Sequence, residues 1–348
     1  MTWLREARRI VAPYMRRRPG LYWLDLLASA AVAWAMTALY FLAPAWSLPQ
    51  LVGFAVAGAA FFRAGTFMHE IVHMAPDDMP RFKLAFNVLV GVPLLAPWLL
   101  YRNHAGHHSR GEYGTPGDGE YLPLAAAPPV ETLRYLLQIP VLPVLAVIRF
   151  GVLGPLSRLR RGWREWLLTR GSAYVSNPYY RRRFPDRELG ALQRVEWACA
   201  AWLALLVALT IAGVMQGVHW LMAWALLSWA LGLNWVRNLA AHGYRNAGDT
   251  MSHAAQFEDS INITGQTWLT CWLFPVGLRY HALHHLFPGL PYHALGPAHR
   301  RLVAELPADS PYHRANHRSY FGVVGRLLRG AFESRGGPSP MPRWREQA

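Results

Sequence analysis

The sequence predicts an all-α, polytopic membrane protein: four transmembrane helices in two hairpins, capped by a helical region on the cytoplasmic side. Three observations carry this expectation. Of the 348 residues, 53% are hydrophobic and only 16% charged, whereas about a quarter of residues are charged in an average soluble domain. The apolar excess is gathered in long runs. Arginine crowds beside those runs, and Lys83 is the only lysine.

The runs define the elements. Residues 21–46 are almost unbroken, interrupted by Asp25 near their start. Residues 51–68 follow the turn Ser47-Leu48-Pro49-Gln50 and contain Arg63. A second pair, 197–215 and 219–236, is separated by Gln216-Gly217-Val218. Each run is near the roughly 17–25 residues that cross a bilayer. The first is longer than the roughly 7–15 residue core of a signal peptide, so it is expected to stay as half of a hairpin. Two apolar stretches are punctuated by proline: 85–101 by Pro93 and Pro97, and 133–156 by Pro140, Pro143 and Pro155. They are expected to lie in the interface or re-enter it.

Charge orients the chain. Arg5, Arg8, Arg9, Arg16, Arg17 and Arg18 precede the first run. Arg158, Arg160, Arg161, Arg164, Arg170, Arg181, Arg182 and Arg183 fill the middle loop. Positive residues mark cytoplasmic segments, which places both there. A net charge of +15 carried this way suits anionic head groups and an acidic protein partner better than nucleic acid. Cys199 and Cys271 are expected as buried thiols without a disulfide. Residues 1–330 read as one integral-membrane domain, and 331–348, with Gly336-Gly337-Pro338-Ser339-Pro340, as a flexible tail.

The chemistry is concentrated in histidine. Eight of 15 histidines fall in three clusters: His69-Glu70-Ile71-Val72-His73, His104-Ala105-Gly106-His107-His108 and His281-Ala282-Leu283-His284-His285. On a helix, positions i, i+3 and i+4 share a face, so each cluster presents a patch of imidazoles. The predicted topology brings all three to the cytoplasmic side. Imidazole suits iron, copper and zinc. Eight ligands exceed the four of one zinc site and suffice for two metals; among these metals, iron best suits oxygen activation. The first cluster alone is also the zinc-protease signature. That reading leaves the other two clusters idle. A metal transporter would hold its ligands inside the spans.

The clusters and their flanks resemble the membrane fatty acid desaturase and hydroxylase family. The first box, His-Glu-x-x-His, is similar to that of the sphingolipid desaturase branch and its bacterial relatives. The stretch Asn87 to His108, with Gly91-Val92-Pro93 and Tyr101-Arg102-Asn103-His104, resembles the family's approach to its second box. The third continues as His285-Leu286-Phe287-Pro288 and then Gly289-Leu290-Pro291. The resemblance runs from about 51 to 302, apart from the middle loop.

The resemblance implies two non-haem irons held by His69, His73, His104, His107, His108, His242, His281, His284 and His285. It adds His242 because a family histidine follows the second hairpin four residues after an asparagine, here Asn238, with the two side chains expected on one helical face. Asn238 is implied as a direct or water-mediated ligand, and Glu70 as the acidic residue that orients a ligand. Asp118, Glu120 and Asp259 are placed to bond ligand imidazoles. The implied activity is O2-dependent fatty acyl desaturation, favoured by the third-box continuation, with hydroxylation as the alternative. A lipid or acyl chain enters by an apolar tunnel. Two electrons per turnover come from a separate ferredoxin or cytochrome-type donor docked on the basic face. His219, His253, His293, His299, His313 and His317 lack spacing partners and are expected at the surface or interface, His219 on the opposite side.

Overall fold

A computed structural model describes residues 2–172 and 176–347. An amphipathic helix, α1 (Thr2–Val11), precedes a long hairpin of α2 (Pro19–Leu42) and α3 (Leu48–Gly65). The Ser47 hydroxyl caps α3 by accepting from the Gln50 amide at 3.3 Å. Small residues let the two helices approach closely: a Cβ at Gly53 would lie 2.7 Å from the Tyr40 amide nitrogen. The two charges inside these apolar runs find each other. Arg63 Nη2 reaches both carboxylate oxygens of Asp25 at 2.6 Å, which neutralises both within the hairpin.

After a break at Thr66, α4 (Phe67–Val72) continues the direction of α3. Then α5 (Pro80–Phe86), a π-turn at Asn87–Gly91 and a 3-10 turn at Trp98–Tyr101 lead to the one-turn helix α6 (His104–His107). This 85–101 stretch is a broken run of short turns and not one continuous helix. The Asn87 side chain accepts from the Trp98 amide at 3.2 Å, closing the loop. Trp34, midway along α2, donates to the Leu89 carbonyl at 2.9 Å.

Next come α7 (Pro129–Ile148), α8 (Gly154–Leu156) and α9 (Arg161–Thr169). Both ends of α7 return to the layer that carries the second histidine box. Glu131 accepts from Arg345 at 2.6 Å near its start. Arg149, just past its end, donates to Ser172 at 2.9 Å, and Arg182 beyond it reaches the Leu99 carbonyl at 2.9 Å and Asn103 at 3.0 Å. Leu133, Leu137, Val141, Val144 and Ile148 stay exposed along one face, as a lipid-facing stripe does.

The second pair of long helices is α10 (Asp186–Ile211) and α11 (Gly217–Asn238). Among the described residues, four stretches are long and apolar enough to cross a membrane: Pro19–Leu42, Leu48–Val72, Pro129–Leu159 and Asp186–Ile211. This set differs from the sequence expectation in one member. Pro129–Leu159 qualifies by composition, while α11, which carries His219, Ser228, Asn234, Arg237 and Asn238, is less apolar. The two members of the second pair also splay apart: α11 lies against α3 and α7, and α10 against the 149–153 segment.

The remaining chain is a cap: α12 (His253–Asp259), α13 (Thr267–Leu273), α14 (His281–Leu286), α15 (Tyr292–Glu305), α16 (Tyr320–Glu333) and α17 (Met341–Arg345). Among the described residues it also holds a parallel pair of two-residue strands, β1 (Asn262–Ile263) and β2 (Asn316–His317). Helix α1 buries Ala7, Ile10 and Val11 with Leu295, Ala298 and Leu302 of α15. The segment after 331, read from sequence as flexible, packs two side chains into the cluster around Tyr121. Met341 and Trp344 are buried, and Trp344 Nε1 donates to the Tyr121 carbonyl at 3.1 Å. Both cysteines are free; Cys199 is buried as expected, but Cys271 is exposed.

Candidate metal centre

Each histidine box sits on a short, interrupted helix. His69 lies on α4 and His73 at its C-terminal cap. His104 and His107 occupy α6, and His108 caps it. His281, His284 and His285 share α14, which is fixed when Asn262 of β1 accepts from the Leu283 amide at 3.1 Å. His242 arrives differently from the sequence expectation. Helix α11 stops at Asn238, a turn follows, and His242 pairs with Ser260 in an antiparallel bridge. Asn238 and His242 therefore do not share one helical face.

All nine histidines meet. His69, His73, His104, His108 and His284 form one group; His107, His242, His281 and His285 form another, and within each group the ligand atoms lie within 4.8 Å of one another. The groups touch, with the rings of His108 and His285 4.3 Å apart. Their Nε2 atoms converge: His281 to His242 at 2.9 Å, His107 to His242 at 3.1 Å, His284 to His108 at 3.2 Å. Nε2 of His69 and of His73 has no hydrogen-bond partner. Buried polar atoms are normally satisfied, and converging lone pairs are satisfied by a cation. The donor set fits two metal ions with imidazole preference.

Outer partners fix the tautomers. His107 Nδ1 donates to Asp118 Oδ2 at 2.8 Å. His242 Nδ1 donates to the Tyr113 hydroxyl at 2.7 Å, which donates to Asp259 at 2.8 Å. His104 Nδ1 meets the Tyr101 hydroxyl at 3.2 Å, and Tyr101 donates to Glu120 Oε2 at 3.2 Å. Each group thus has one histidine–tyrosine–carboxylate relay, and both leave Nε2 free to face inward.

Burial, reinforced by neighbouring imidazoles, holds His104, His108, His242, His281, His284 and His285 well below the usual histidine range. Burial also takes His73 down to about 4. These rings are neutral near pH 7, as metal ligands must be. At His107 burial pulls the same way, but Asp118, helped by Glu120 and Asp259, outweighs it and raises the pKa. That carboxylate favours positive charge at His107, whether proton or metal. Burial raises Glu120 to about 7 and Asp259 to about 6.

The other sequence candidates fall at different distances from the cluster. Glu70 is buried, but it accepts from the Tyr22 hydroxyl and from the Tyr292 amide at 3.2 Å, so it ties α4 to α2 and α15. Asn238 accepts from Arg237 and lines a space of about 10 Å³ between the histidine groups. His299, expected at the surface, is buried and bonds the Tyr312 hydroxyl at 2.7 Å. His219 stacks on Phe41 at the far end of α2.

A cavity of about 450 Å³ leads to the cluster. Away from the cluster its lining is mostly apolar, with Phe61, Leu142, Leu145, Ile148 and Trp166, but includes Arg149 and Arg170; its inner end reaches His69, Tyr101, Glu120, Arg237 and Asn238. Residues 46–317 match the family described as Fatty acid desaturase. The chain belongs to that family. It is an oxidoreductase of the desaturase superfamily. A ceramide hydroxylase from Caulobacter vibrioides (strain NA1000 / CB15N) is 38% identical over 327 residues, covering 93% of each chain.

Sequence reasoning about this desaturase-family enzyme missed Tyr113 and Arg237. Arg237 carried a signal, a charge at the end of an apolar run. Tyr113 carried none, because it acts on His242, 129 residues away.

Proposed function

We propose that this enzyme is a membrane-bound, O2-dependent lipid hydroxylase acting on ceramide or a closely related long-chain amide. The observation that carries this reading is the identity with a ceramide hydroxylase along 93% of both chains, joined to an apolar cavity that ends at His69. The desaturase outcome favoured by His285-Leu286-Phe287-Pro288 gives way. Both outcomes begin with removal of hydrogen from an unactivated C–H bond, so a histidine box marks the shared step and not the second one.

On this reading the nine clustered histidines hold two irons, which when bound supply the oxygen activation. The reaction replaces one C–H with C–OH: R–H + O2 + 2 e⁻ + 2 H⁺ gives R–OH + H2O. The chain's own groups do the rest. Asp118, Tyr113 with Asp259, and Tyr101 with Glu120 keep the Nδ1 protons outward and the ring positions fixed. Phe61, Leu142 and Leu145 keep water from the alkyl chains. Electrons come from a separate ferredoxin or cytochrome-type protein on the basic face, which this reading puts on the cytoplasmic side together with the site.

The test compares lipids from cells with and without the chain under isotopically labelled dioxygen. A ceramide gaining one labelled oxygen is the expected result. A ceramide lighter by two hydrogens, with no label, would return the reading to desaturation.

A further inference from the structure

The inner end of the cavity holds an arginine and a glutamate that each leave a buried polar atom unpartnered among the described residues. Arg237 is buried, with Nε and Nη2 donating to Asn234 at 3.2 and 3.0 Å and Nη2 also to Asn238. Among the described residues its Nη1 has no partner. Glu120 uses Oε2 for Tyr101 and leaves Oε1 buried and without a hydrogen-bond partner among the described residues. Trp235 Nε1, in the same lining, is also unpaired. Buried charges are seldom left so, and unmet donors and acceptors in a cavity are met by what enters it.

The location narrows what enters. Glu120 Oε1 lies 3.7 Å from His104 Nδ1, and both Arg237 and Glu120 also line the small space between the histidine groups. The rest of the cavity is mostly apolar, apart from Arg170 and from Arg149, which pairs with Glu196, and it opens among exposed residues of α7. A ligand satisfying both zones has alkyl chains outward and, at its inner end, a group that both donates and accepts. A secondary amide with neighbouring hydroxyls is such a group; a hydrocarbon chain or simple ester lacks the donor.

We propose that Arg237 Nη1 and Glu120 Oε1 grip the amide and hydroxyl head of the lipid, so that the carbon oxidised lies within a few bonds of that head. This rests on the hydroxylase reading and adds to it a substrate grip and a regiochemistry. Arg237 and Glu120 are specificity-determining residues in this proposal, and the histidines remain the metal site.

The experiment uses the purified full-length protein in detergent micelles. A short-chain dihydroceramide and its O- and N-methylated counterpart are titrated while tryptophan fluorescence is followed. Hydrogen bonds to charged groups are each worth about tenfold or more. Wild type is expected to prefer the unmethylated probe by about that factor. Arg237→Gln and Glu120→Gln are each expected to erase most of the preference without changing affinity for the methylated probe, and Arg237→Lys to restore part of it. The same preference in wild type and both Gln variants, or none in wild type, overturns the grip. Should the variants lose iron or melt early, the wild-type product decides. A hydroxyl placed near the amide by fragmentation mass spectrometry supports the proposal, and one in mid-chain overturns it. A wild type that keeps the probe preference but oxidises no ceramide would sink the hydroxylase reading while leaving the grip supported.

Discussion

Tyr113 illustrates how far a metal site extends beyond its ligands. Its hydroxyl accepts from His242 and donates to Asp259, so removing it leaves the ring with only the longer Ser260 contact at 3.4 Å and leaves the buried carboxylate to Tyr121 and the Gly243 amide. Tyr113→Phe keeps the ring stack on His107 at 5.0 Å and deletes only the relay. Partners of this kind are worth about 10–100-fold in metal affinity or activity; iron titration should show a loss in that range. His242 itself is one of four imidazoles in its group. His242→Ala should abolish turnover and lower the iron content from two per chain toward one, read by elemental analysis. His219→Ala, at the far end of α2 beside Phe41, should leave both intact. Equal iron in the two variants would remove His242 from the ligand set.

Among the elements, the short cap helices depend on partners distant in sequence, and here the C-terminal segment matters most. Trp344 is fully buried and holds the Tyr121 carbonyl, one residue beyond Glu120. Trp344→Ala should cost about 3–5 kcal/mol, as large aromatic truncations in cores do, and lower the melting temperature. Helix α15 offers a pH-dependent contact. Burial, helped by Arg279 and Arg300, takes His299 down to about 4, against about 6.5 when unfolded. Between those values the unfolded chain takes up a proton that the folded chain refuses. Stability from this site is therefore complete above pH 6.5 and is lost as pH falls toward 4, by at most about 1.4 kcal/mol per pH unit. His299→Gln should flatten the melting profile in that window. Neither contact was legible beforehand, since a Gly/Pro-rich segment reads as loose and a lone histidine as exposed. The α2–α3 hairpin and the three boxes were legible because their signals, apolar length and i, i+3, i+4 spacing, are local. Tertiary closure is what local signals omit: the break of α11 at Asn238 and the relays through Tyr101 and Tyr113 depend on residues brought together by folding.

At the scale of the whole molecule, one question governs the rest: which apolar helices cross the bilayer. Composition admits Pro129–Leu159 and passes over α11, yet the contacts argue the other way. Glu131 is tied to Arg345 and Arg149 to Ser172, and both partners lie in the layer that holds the second box. A helix whose two ends return to one side does not cross, so α7 is read as immersed along the membrane face with its exposed leucine and valine stripe in lipid. Helix α11 starts beside Phe41, at the outer turn, and ends beside the histidines, which is the course of a span. If α2, α3, α10 and α11 cross, the arginines of the N-terminus and the middle loop are expected on the side of the site, as charge asymmetry requires. Cysteine labelling checks this directly. In a Cys271→Ser background, needed because that thiol is exposed, single cysteines replace Arg8, Gln216 and Arg160. A membrane-impermeant reagent added outside intact cells should label only the Gln216 position, and permeabilisation should expose the other two together. Labelling of the Arg160 position from outside would make Pro129–Leu159 a true span, move the middle loop across the membrane, and break the single-sided assembly on which the shared metal centre depends.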